Sequence, residues 1–130
     1  MTEREPVLER ICFAFALRPG MEEEYRRRHD AIWPEMTQLL ESAGVTDYSI
    51  FSAGTRFTEG SLLVGALKAD PDWQAASEIL QASDVQRRWG EAMSDLIEWQ
   101  LDADGKFFQL AEVFRLGESG QRAAPMDAGE

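Results

Sequence analysis

The chain predicts a ferredoxin-like α+β sandwich of βαββαβ order, with helices on one face of a four-stranded antiparallel sheet. Three observations carry that expectation. Strand-like alternation and helical spacing follow one another in the order strand, helix, strand, strand, helix pair, strand, and the 130 residues suit one domain rather than two. The third observation is an apolar far face, since either Tyr48 with Ile50 or Ser49 with Phe51 must leave the helix-covered side. Two such sheets laid face to face bury it, so a homodimer of the dimeric α/β-barrel type is expected. A single sheet over a deep ligand cavity would give the same pattern.

From Arg10 to Leu17, the bulky Ile11, Phe13, Phe15 and Leu17 alternate with Cys12, Ala14 and Ala16, the period of a strand, and Pro19 and Gly20 end it. Glu22, Glu23 and Glu24 suit the positive end of a helix dipole, and Tyr25, His29, Trp33, Met36 and Leu40 continue at helical spacing. Pro34 would break a continuous helix but costs nothing in the first turn of a new one. One helix therefore ends near His29 or Asp30, and a second runs from Pro34 to Ser42, closed by Gly44. Asp47 to Ser52 and Ser61 to Ala69 read as a hairpin around Gly54 to Gly60. Asp70-Pro71 reads as the cap and first position of an alanine-rich helix to about Gln81. Ser83-Asp84 opens another helix to about Trp99, with Val85, Trp89, Met93 and Leu96 or Ile97 inward, and Phe107 to Leu116 is the last strand. The domain spans residues 9–117, with residues 1–8 flexible and 118–130 a disordered tail without periodicity.

A formal charge of −11 opposes a phosphate backbone and an anionic membrane, so neither nucleic acid nor lipid is an expected partner; a neutral small molecule fits better. No run of apolar residues spans a bilayer, no secretory signal is legible, and the lone Cys12 closes no intrachain disulfide, which points to the cytoplasm. One His and one Cys assemble no metal-ligand spacing, and Gly54, Gly60 and Gly65 fall in a hairpin rather than in a phosphate cradle. No metal or nucleotide cofactor is expected.

Proton chemistry near neutral pH then falls to His29, the only histidine, with Tyr25 one turn before it on the same helix face. Arg26, Arg27 and Arg28 project away from that stripe as a solvated face, and their repulsion opposes a helix C-terminus in tuning the imidazole. Glu112 alternates with Phe108, Leu110, Phe114 and Leu116, so it points with four apolar groups. It is a second candidate for proton transfer, or else a salt-bridge partner for an arginine. Trp73 and Trp89 suit either the C–H face of a pyranose or the gap between helix and sheet, while Trp33 and Trp99 are most simply packing residues.

The stretch Glu24-Tyr25-x-Arg27-Arg28-His29-x-x-Ile32-Trp33-Pro34-Glu35, with Tyr48-x-Ile50, Ser83-Asp84-Val85, Arg88-Trp89, Met93 and Glu112-Val113-Phe114, resembles the L-rhamnose mutarotase family over about Ile11 to Leu116. The resemblance implies a small dimeric ferredoxin-like enzyme, without cofactor, that interconverts the α and β anomers of a deoxy-hexose. It also implies that His29 is the general acid, that Tyr25 and Tyr48 contact the monosaccharide, and that Trp89 is half of a tandem tryptophan pair lining the pocket. Gly90 departs from the family, which typically carries the second tryptophan there. Two other classes fit the same residues: a cofactor-free monooxygenase of the dimeric α/β-barrel type, and a non-catalytic sugar-binding protein.

Overall fold

Strand β1 (Glu9–Leu17) is the middle of the sheet, because its alternation supplies one bulky face and one face of small residues. The computed structural model describes residues 8–100 and 102–117; the expectations for residues 1–7 and 118–130 lie outside the described residues. The remaining elements are α1 (Glu22–Asp30), α2 (Pro34–Ser42), β2 (Val45–Gly54), β3 (Leu62–Ala69), α3 (Trp73–Gln81), α4 (Asp84–Met93), β4 (Ile97–Trp99) and β5 (Phe108–Gln109). The antiparallel sheet runs β2-β3-β1-β4, with β5 also on β1. The ferredoxin-like order is met, but two short strands share the last position.

Register assigns the faces. Ile11, Phe13 and Phe15 pair with Leu67, Gly65 and Leu63, and Tyr48, Ile50 and Ser52 of β2 join them under the helices. Cys12, Ala14, Val64, Ala66, Ser49 and Phe51 take the opposite, open face. The core lies on the first side, where a Cβ on Gly65 would stand 2.5 Å from the Phe13 ring. That close approach is why a glycine occupies mid-strand.

Four expectations are corrected. The helix after the hairpin begins at Trp73, because the Asp72 carboxylate accepts the Ala75 N–H at 2.9 Å and so caps it two residues beyond Asp70, while Asp70-Pro71 is a cis peptide outside the helix. Helix α4 stops at Met93 rather than Trp99, because the free edge of β1 pairs Leu17 with Ile97 and Ala16 with Trp99. Tertiary pairing overrides the local helical pattern there. The final strand shrinks from Phe107–Leu116 to Phe108–Gln109, since β4 already holds the end of β1; Leu110 N–H adds one more bond, to the Cys12 carbonyl at 2.7 Å. The arginines are not a solvated face throughout: Arg28 reaches Ala92 O at 2.7 Å and Asp95 at 2.9 Å, tying α1 to the end of α4.

Candidate active site

Helix α1 carries nine residues, too few to persist alone, and Tyr25 is its one buried side chain. Its docking therefore depends on Tyr25, on the Arg28 bridge and on a bond from the Ser52 hydroxyl to Glu22 at 2.8 Å. Between α1 and the β2–β3 hairpin opens a cleft of about 610 Å³, lined among others by Glu22, Tyr25, His29, Ile50, Ser52 and Arg56. That volume admits a small ligand such as one monosaccharide.

Tyr25 and His29 stack with ring centroids 4.2 Å apart, and Trp89 meets His29 edge-on at 5.4 Å. His29 Nδ1 lies 3.2 Å from the Tyr25 carbonyl oxygen. In the neutral ring Nδ1–H donates to that carbonyl, which leaves Nε2 as the acceptor. Burial lowers the His29 pKa, against smaller upward pulls from the Tyr25 carbonyl and Asp30. Arginine repulsion is not among the causes, because Glu24 engages both Arg27 and Arg28, and those arginines hold its carboxyl at about 2.

Tyr48 retains 39% of its surface, and burial pushes its phenol up to about 12. Burial also raises Tyr25, and the Tyr48 phenol adds to it. Both phenols stay protonated at neutral pH and serve as donors.

The structure thus gathers His29, Tyr25, Tyr48 and Trp89. Trp73 stands further off, meeting Phe107 at 6.1 Å, which stacks on Phe13 at 4.6 Å, which in turn touches Tyr48 at 6.2 Å. Glu112 is not brought to the cleft. It is exposed and pairs with Arg10 at 3.5 Å. Its alternation with Phe108 and Leu110 is real, but that side of the strand is the open face, because Phe108 pairs with Ala14. A Cβ on Gly90 would meet nothing within 4 Å, so the departure from the tryptophan pair leaves open space beside Trp89.

Sequence reasoning missed Glu22, Ser52, Arg56 and the packing of Trp33 on Trp89 at 5.1 Å. Two of these had a signal. Glu22 precedes Tyr25 by three residues on its helix face, and Ser52 follows Tyr48 and Ile50 at strand period.

A family model for L-rhamnose mutarotase matches residues 10–116. Proteins named L-rhamnose mutarotase from Sinorhizobium fredii and Acidiphilium cryptum are each 39% identical over 109 residues, covering 84% of this chain and 99% of theirs. A crystal structure of an L-rhamnose mutarotase from Formosa agariphila superposes with a TM-score of 0.64 at 32% identity, over 84% of this chain and 99% of that one. PA3566 from Pseudomonas aeruginosa, at 16% identity and a TM-score of 0.52 over 85% and 98% of the two chains, shares the fold. With the Tyr25–His29 pair set in a sugar-sized cleft and a match that runs through nearly every described element, the chain belongs to the L-rhamnose mutarotase family.

Proposed function

We propose that the chain interconverts the α and β anomers of L-rhamnose or a related 6-deoxy or neutral hexose, with His29 moving the proton. The observation that carries this reading is the stacked Tyr25–His29 pair at the cleft, its Nδ1 tied to a backbone carbonyl. Neutral His29 takes the anomeric hydroxyl proton on Nε2 as the bond from C1 to the ring oxygen breaks, and the Tyr25 phenol protonates that ring oxygen. An aldehyde forms and rotates about C1–C2. On closure the attacking hydroxyl returns its proton to Tyr25, and the imidazolium protonates the new anomeric oxygen. Family resemblance casts His29 as an acid; the lowered pKa favours a base in the first step and an acid in the last. No electrons leave the sugar, so the reaction needs no redox cofactor.

Tyr48 and Trp89 are assigned to substrate binding beside this pair, with Trp73 behind them. Saturation-transfer NMR of anomer exchange tests the reading: wild type is expected to accelerate exchange, and His29→Ala to slow it about 10²- to 10⁴-fold. A His29→Ala protein as fast as wild type would refute it.

A second copy of this chain is assigned to the open sheet face, where Phe51, Phe108 and Leu110 are exposed. Among the described residues no helix is long and apolar enough to cross a membrane. The free Cys12 fits a reducing compartment, and we assign the cytoplasm.

A further inference from the structure

Glu22 lies one helical turn before Tyr25 and two before His29, and it lines the same cleft. The Ser52 hydroxyl donates to its Oε1 at 2.8 Å and the Arg26 guanidinium to its Oε2 at 3.0 Å. Ser52 is itself fixed, since the Gly54 N–H donates to its oxygen at 2.9 Å and leaves the hydroxyl proton for Glu22. The Ser61 and Ser52 hydroxyls and Arg26, against burial, hold the Glu22 carboxyl below its ordinary range, hence ionised at neutral pH. A first-turn glutamate serving only the helix dipole needs no such cradle.

His29 stands seven positions after Glu22 on the helix, a rise of roughly 10 Å, the reach of a pyranose with a hydrogen bond at each end. When the reacting bond between C1 and the ring oxygen sits at His29 and Tyr25, the opposite edge of the six-membered ring is the C3–C4 bond. We propose that Glu22 is a substrate-binding carboxylate that accepts hydrogen bonds from the hydroxyls on C3 and C4, and so sets which sugars the cleft takes. This rests on the anomer-exchange reading above. A carboxylate offers about four acceptor positions; Ser52 and the exposed Arg26 fill two, which leaves room for two sugar hydroxyls. A site built to receive a hydroxyl rejects the analogue lacking it, because the carboxylate is then left underpaired.

KM and kcat for anomer exchange, measured by saturation-transfer NMR on L-rhamnose and its 3-deoxy and 4-deoxy analogues, test the assignment for wild type, Glu22→Gln and Glu22→Asp, with thermal unfolding of each. Glu22→Gln is expected to raise KM for L-rhamnose about tenfold or more with kcat within about twofold. That handicap should shrink on the analogue missing a recognised hydroxyl. Glu22→Asp, with the charge one methylene shorter, should fall between. An unchanged KM, an equal loss on every sugar, or a kcat that falls with the melting temperature makes Glu22 a strut between α1 and the hairpin and overturns the proposal. A wild type that accelerates none of these sugars overturns the anomer-exchange reading, and this one with it.

Discussion

On the helix side of β1 stand Ile11, Phe13, Phe15 and Leu17, and on the other stand Arg10, Cys12, Ala14 and Ala16. The first set carries rings that meet Tyr25, Tyr48 and Phe107, and through Tyr25 reach His29. The second set is flat, with Phe51 63% and Phe108 40% exposed at its flanks. Large residues fill space between sheet and helices, whereas small ones let another layer approach closely. The proposed proton transfer falls on the side that carries the rings, and the proposed second copy on the flat side, which a second sheet can approach closely.

The heaviest blow to that division falls on the flat side. Val64, partly buried and paired with both Ala14 and Phe51, is central there. Val64→Arg is expected to weaken self-association about thirtyfold or more, as loss of a central interface contact does, while the single chain keeps its helix content because a long cation extends to water. Sedimentation equilibrium with circular dichroism checks this. A variant as dimeric as wild type would move the partner elsewhere.

Next comes the crowded side. Gly65→Ala places a methyl 2.5 Å from a Phe13 ring that is pinned by Phe107 and Phe15. Overpacking of this kind costs about 1–3 kcal/mol, read as a fall in melting temperature. If the protein loses nothing, the ring wall over the sheet is looser than the stacking implies.

The pH dependence sharpens the link between burial and chemistry. His29 binds its proton less readily when folded than at its ordinary 6.5, so the folded state holds fewer protons than the unfolded one between the two values. Its contribution to stability is complete above 6.5 and is lost as pH falls through the lowered folded value. With His29 as the initial base, exchange is flat from pH 8 to 6.5 and falls about tenfold per unit only below its lowered pKa. A rate that instead rises on acidification would make imidazolium the starting form.

What the sequence made legible was local. The alternation of β1 and the break at Pro34 needed only neighbours in the chain, and both stand as read. Residues claimed by distant partners were harder. Ile97–Trp99 carries a helical pattern yet joins β1, and Arg28 looks solvated yet bridges to Asp95, 67 residues away. Glu22 and Ser52 each sat on a readable face, but their meeting 30 residues apart is a property of the fold.

Glu112 exposes the same boundary and yields the smallest effect. Its alternation named its companions correctly and could not say which face they shared, because period two is blind to where the helices lie. Carried on from Ala14 with Phe108, the register sets Glu112 beside Arg10, and their exposed side chains meet at 3.5 Å. Such a pair contributes about 0.5 kcal/mol or less, so Glu112→Gln should shift the melting temperature by about 1–2 °C at most and leave anomer exchange within about twofold. Unfolding scans and saturation transfer on one preparation measure both. Glu112 is not among the residues that line the cleft, so a tenfold loss of exchange with unchanged stability would mean that the second copy carries Glu112 to its neighbour's cleft, and the two faces would then be halves of one site.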